Sequence, residues 1–114
     1  MLQKIKENRD FHRIYRRGKC AVSPALISYT VVKRGGGIRV GITSSKKIGG
    51  AVVRNRARRV IRAAFHACEP YLKDGAAADI VFVARSLTAR SKSTEVAAAM
   101  LGQLVSAGLA EAER

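Results

Sequence analysis

A chain of 114 residues carrying a net charge of +14 has room for one domain with a modest core. With aromatic residues at 5% and no Trp, that core must be mostly aliphatic. The charge far exceeds the magnitude of ~2–8 that solubility asks of a small domain. Between Phe11 and Cys68 stand 14 Lys and Arg and no acidic residue, whereas the rest of the chain balances 8 basic against 8 acidic residues. A block of one sign on that scale points to a nucleic acid or an anionic membrane surface.

The membrane option is weak. The longest uncharged apolar run, residues 96–110, has 15 residues, short of the ~20 that a spanning helix needs. Lys4, Lys6 and Arg9 are not followed by the apolar region of a secretory signal. No membrane partner is expected, and the chain reads as cytoplasmic. Cys20 and Cys68 match no metal or redox spacing, so both are expected as reduced thiols, Cys68 on the apolar side of a helix.

In chain order, Asn8 can cap a short helix over residues 9–17 that Gly18 ends. Phe11, Ile14 and Tyr15 share one side of it, surrounded by Arg13, Arg16 and Arg17. The aromatic pair reads either as core or as a stacking platform for splayed bases. After Pro24, residues 25–33 alternate, Ile27, Tyr29 and Val31 on one face and Leu26, Ser28, Thr30 and Val32 on the other. Gly35, Gly36 and Gly37 turn the chain into a second strand, residues 38–45, and an antiparallel hairpin is expected. These glycines are not a dinucleotide fingerprint, because no Gly-x-Gly-x-x-Gly is present and no helix opens behind them.

A helix over residues 53–68 gathers Val53, Ala57, Val60, Ile61, Ala64 and Cys68 on its buried side. Arg54, Arg58, Arg62, Asn55 and Arg59 fall on the adjoining arc of roughly 140°, with Arg56 at the far edge of the apolar stripe. Like charges four apart oppose a helix. Such an arrangement makes sense when a polyanion neutralises it. Glu69-Pro70 marks the end of the helix. Residues 79–85 hold a continuous apolar run, Ile80 to Ala84, as in an interior strand. A last helix, capped by Ser91, Ser93 or Thr94, runs to about Leu109 and buries Val96, Met100, Leu101, Leu104 and Val105. The result is a single two-layer α+β domain over residues 1–114. If strands 38–45 and 79–85 are parallel, the general rule makes the crossover between them right-handed.

Catalytic chemistry is hard to find. No carboxylate lies between Asp10 and Glu69, so no pair can be argued for general acid–base work or metal-assisted hydrolysis. His12 and His66 stand alone; His66 either extends the basic flank or is an exposed bystander. No catalytic residue and no metal ligand is expected. This chain binds.

From Lys46 to Phe65 the sequence resembles the protein subunit of bacterial ribonuclease P. The family's hallmark is an Arg-Asn-Arg box opening a basic helix after a Lys-Lys-Ile-Gly turn. Here it stands as Lys46-Lys47-Ile48-Gly49 and then Arg54-Asn55-Arg56-x-Arg58-Arg59-x-Ile61-Arg62. Asp10-Phe11 with Tyr15 and Gly18, Tyr29, Arg39-Val40-Gly41-Ile42 before Ser45-Lys46-Lys47, and Ala84-Arg85 are similar in the same order. The likeness covers roughly residues 4–85, and its departures are Leu87, where the family often has Pro, and the Ala-rich last helix.

The resemblance implies a four-stranded mixed sheet packed by helices, with an extra short strand near residues 19–23 and a left-handed crossover through the basic helix. A domain of a ribosomal protein shares that fold. It also implies a subunit that works with a catalytic RNA and Mg²⁺ held mainly by that RNA, cutting precursor tRNA at the mature 5′ end with no stable protein partner. By the same resemblance, Lys46, Lys47, Arg54, Asn55, Arg56, Arg58, Arg59 and Arg62 would face the catalytic RNA. Phe11, Tyr15 and Tyr29 would line a cleft for the single-stranded 5′ leader, with Arg13 and Arg85 on its phosphates. The alternative is a ribosomal or other structural RNA-binding protein of the same fold, which needs no aromatic cleft.

Overall fold

The computed structural model describes residues 3–112. Its elements are β1 (Gln3–Lys4), α1 (Asn8–Arg17), β2 (Lys19–Ser23), β3 (Leu26–Val32), β4 (Ile38–Thr43), α2 (Ala51–Cys68), β5 (Ala78–Ala84) and α3 (Ser93–Ser106). The strands form one mixed sheet in the order β1-β4-β5-β3-β2. The sheet has five strands where four were expected, because the two-residue β1 pairs parallel with β4 (Gln3 opposite Arg39, Lys4 opposite Val40). A polar dipeptide has no alternation to reveal it. The short strand at Lys19–Ser23 is present as the resemblance implied.

The hairpin expected between residues 25–33 and 38–45 does not form. β5 lies between them, antiparallel to β3 and parallel to β4. Ile80, Val81 and Phe82 are wholly buried, and only a central strand has helices on both faces and a partner along both edges. The glycine loop steps over the start of β5: Lys33 N–H donates to Ala77 O at 2.9 Å, and Ala78 N–H to Gly37 O at 3.2 Å. The hairpin of this fold is β2–β3 instead, closed where Ser23 pairs with Leu26.

Alternation along the strands divides the core in two. Leu26, Val40, Ile80 and Phe82 face α2 and α3, where Ile61, Ala64, Phe65, Val96, Met100 and Leu104 complete the larger cluster. Val81 faces the other way, against Ile14 of α1 and Ile5, with Phe11, Tyr29, Val31 and Val83 around them. The helix ends differ from expectation in small ways. Glu7, not Asn8, occupies the N-cap of α1, and its carbonyl accepts from Asp10 and Phe11 N–H. α3 starts after Lys92, whose N–H donates to Glu95 Oε1 at 2.9 Å.

On α2 the buried side is shifted by part of a turn from the expected stripe. Val53 is exposed, whereas Phe65 is buried with its ring 6.0 Å from that of Phe82. A large aromatic outweighs a valine in what a helix buries. Cys68 packs toward α3, its Sγ donating to Ala97 O at 3.4 Å, and burial pushes its thiol up to about 11.

Candidate nucleic-acid interface

α2 starts after Ser45-Lys46-Lys47-Ile48-Gly49-Gly50, in which Lys46–Ile48 forms a 3-10 turn capped by Ser45 Oγ, which accepts from Lys47 N–H at 3.3 Å. Gly49 has φ +147°, and a Cβ there would stand 2.8 Å from Val53 Cβ, so the turn into the helix requires glycine. Gly50 gives the helix no side-chain cap. Its first N–H groups and its dipole therefore face solvent at an end where an anion is favoured.

The expected arc is realised. Asn55, Arg59 and Arg62 are exposed and Arg58 is half-buried, and these four line one shallow cavity with Val52. Arg58 Nη1 reaches Ser44 Oγ at 3.5 Å, which places the arc's inner border beside the end of β4. Arg54, one turn earlier, is half-buried with its Nε shielded and unpartnered. Arg56 sits apart, in a cavity with Ile48, Ser86 and Arg90. Among the described residues no carboxylate pairs with Arg54, Arg56, Arg58, Arg59 or Arg62. Guanidinium groups stay charged near neutral pH and donate in forks that match phosphate. His66, on the same side, is engaged by Glu69 at 3.0 Å.

On the opposite face of the sheet the aromatics meet. Tyr15 and Tyr29 lie edge to face with centroids 5.0 Å apart, and Phe11 is 6.5 Å from Tyr15. Tyr15 Oη donates to Thr43 Oγ1 at 3.3 Å, so the ladder runs from α1 across to β4. Tyr15 is 40% exposed. Phe11 thus packs against the smaller core, as the core reading expects, while Tyr15 remains exposed.

What fixes α1 over the sheet lies outside any local sequence pattern. Asp79 is buried at the start of β5 and takes a bidentate fork from Arg39 (2.9 and 2.8 Å), a 2.6 Å bond from Arg13 and a 2.9 Å pair with Lys33 Nζ. Asp10 adds longer pairs to Arg13 at 3.4 Å and Arg39 at 3.7 Å. The fork from Arg39, with Arg13 and Lys33, holds the Asp79 carboxyl well below the usual carboxylate range against the opposing effect of burial. Bonding to Asp79 raises both arginines. Arg13, expected on a leader phosphate, is thus a strut between α1 and β5. Arg85 donates to Ser23 O at 2.9 Å and is ion-paired to nothing among the described residues.

The family model described as Ribonuclease P matches residues 2–107. The chain belongs to the ribonuclease P protein family. A ribonuclease P protein component of Clostridium kluyveri is 34% identical over 106 residues, covering 93% of this chain and 95% of that one. Another, from Clostridium botulinum, is 33% identical over 107 residues, with the same coverage. Among solved structures, an RNase P protein of Staphylococcus aureus superposes with TM-score 0.78 at 30% identity, covering 95% of this chain and 97% of that one. That of Thermotoga maritima gives 0.75 at 25% identity, covering 90% and 94%.

Membership makes the chain a subunit of a ribonucleoprotein endoribonuclease whose catalysis lies in RNA. It also brings the likeness down to residue 107, beyond the reach of residues 4–85 argued from motifs. Two basic residues that the motifs do not include lie beside the α2 arginines. Lys4 and Lys6, on and just after β1, line a cavity with Phe11, Arg58 and Arg62. Only the topology could have placed them there.

Proposed function

We propose that the α2 arc seats ribonuclease P RNA, and that the aromatic ladder on the other face holds the single-stranded 5′ leader of precursor tRNA. The observation that carries this reading is the row of arginines on one helix flank, uncompensated by any acid among the described residues. Lys46, Lys47, Asn55, Arg58, Arg59 and Arg62 are its open groups, with Arg54 inside its border and Arg56 at its rim. For the leader, Tyr15 and Tyr29 offer stacking faces, and Arg85 has donors left for a phosphate. Arg13 acts indirectly, by holding α1.

Mg²⁺ belongs to the RNA in this reading. Among the described residues no three His, Cys, Asp or Glu come together as a metal site, and Asp79 is enclosed by three cations. These side chains do not fit a magnesium site of the protein's own. The cations of α2 would instead lower the Mg²⁺ that RNA needs to bring its phosphates together.

The test is reconstitution. The chain alone leaves precursor tRNA intact, and adding it to a bacterial ribonuclease P RNA restores cleavage at low Mg²⁺. Tyr15→Ala then weakens binding of precursor and spares mature tRNA. No stimulation by the wild type would overturn the assignment to the RNA, and equal losses for both tRNAs would overturn the leader site.

A further inference from the structure

The chain leaves β5 through a 3-10 turn, Thr88–Arg90, that is tied to the tip of the β2–β3 hairpin. Thr88 opens this turn and is wholly buried. Its Oγ1 accepts from Arg85 N–H at 2.8 Å and donates to Ala25 O at 2.5 Å. A hydroxyl has a single proton to give, so that of Thr88 is committed to the hairpin and its oxygen to Arg85. Thr88 N–H in turn donates to Arg85 O at 3.0 Å. Both backbone groups of Arg85 are therefore held by one residue.

The far end of Arg85 is fixed as well, since its Nη1 donates to Ser23 O at 2.9 Å. Arg85 follows the last residue of β5 and continues the alternation of Val81 and Val83, which pack with Phe11 and Tyr29. Val83 lies opposite Thr43, the hydroxyl partner of Tyr15. Arg85 thus stands just beyond the aromatic ladder, half-buried, with guanidinium donors to spare after the bond to Ser23. No acid among the described residues competes for them. An arginine free to swing loses rotamer freedom when it meets a phosphate, and one pinned at both ends loses less.

We propose that Thr88 is a positioning residue for substrate recognition: by holding the Arg85 backbone against the hairpin tip, it keeps the Arg85 guanidinium aimed at a leader phosphate, and it touches no RNA itself. Thr88 has this role only if Arg85 meets the leader, so the proposal rests on the reading above. Core packing is the competing role for a buried threonine. It predicts lost stability with no change in the preference for precursor over mature tRNA.

Thr88→Val keeps the branched shape and removes the hydroxyl, whereas Thr88→Ser keeps the hydroxyl. Each full-length variant, alone and combined with Arg85→Ala, is assembled with ribonuclease P RNA, and precursor and mature tRNA are then bound to the complex. Arg85→Ala should weaken precursor binding about tenfold, the low end for a hydrogen bond between charged groups, and leave mature tRNA unchanged. Thr88→Val should weaken precursor binding by about fivefold, part of that same contact, and Thr88→Ser should stay within about twofold of the wild type. In the Arg85→Ala background Thr88→Val should add less than about twofold, because both changes act on one contact. A Thr88→Val complex within about twofold of the wild type overturns the positioning role, as does equal loss for both tRNAs or full additivity with Arg85→Ala. An Arg85→Ala complex that binds precursor as the wild type does overturns the leader reading of Arg85 instead. Independently of any variant, NMR relaxation of Arg85 Nε–H in the RNA-free protein should show an ordered side chain, and an order parameter below ~0.6 overturns the preset guanidinium.

Discussion

Replacing Asp79 by Asn keeps the size of the side chain and removes the charge that three cations enclose. Removing one partner of a buried ion pair costs ~3–5 kcal/mol. The side chains of Arg13, Lys33 and Arg39 retain exposures of 31%, 29% and 27%, so water recovers part of what they lose. We therefore expect the lower end of that range, about 3 kcal/mol. Urea unfolding at pH 7 measures it without added ions to screen the cluster. The pH dependence carries the sharper signature. The Asp79 carboxyl is depressed in the folded state, so its stabilisation is complete above its unfolded pKa of ~3.9 and is lost as pH falls toward the folded value. The gap between wild type and Asp79→Asn should stay level from pH 7 to about 5 and narrow below about 4. A gap under ~1 kcal/mol at pH 7, the size of a surface pair, or one that widens on acidification, would refute this account of how α1 is held.

Two predictions concern the larger core. Phe65→Ala should cost ~3–5 kcal/mol in the same urea assay, as for other buried aromatics; a loss below ~1 kcal/mol would return Phe65 to the solvent side of α2. In the folded protein at pH 8, a thiol reagent should modify exposed Cys20 quickly and Cys68 only on unfolding, since a thiol near 11 is ionised to about one part in a thousand there. Two equally fast thiols would contradict the packing of α2 on α3.

The parts of the fold written in local pattern were legible in the sequence. Helical winding placed Arg58, Arg59, Arg62 and Asn55 together on α2, and the structure keeps them together. Alternation separated Tyr29 from Thr30, and these do face opposite layers. The misses that change the topology and the ion pairing are long-range. Nothing near residues 25–45 says that β5 enters between β3 and β4, because a short glycine loop serves a hairpin and a step over another strand equally well. The continuous run from Ile80 to Ala84 does mark an interior strand, and an interior strand needs a partner along each edge, here β3 and β4. Arg13 looked free because its carboxylate lies 66 residues away on another element. Its neighbours in sequence, Arg16 and Arg17, resemble it in composition and lack such a partner among the described residues. Val53 is exposed and Phe65, outside the expected stripe, is buried, because winding ranks positions by angle and ignores side-chain size.

The claim on which most depends is that phosphates neutralise the unpaired flank of α2. Its most direct test is the salt dependence of binding to ribonuclease P RNA by the wild type and by Arg58→Ala/Arg62→Ala. Each lost phosphate contact lowers the slope of log K against log salt by ~0.7–0.9. The account predicts a slope shallower by about 1.4–1.8 in the double variant, on that same basis of counterion release. Parallel lines, with affinity and slope both as in the wild type, would contradict it.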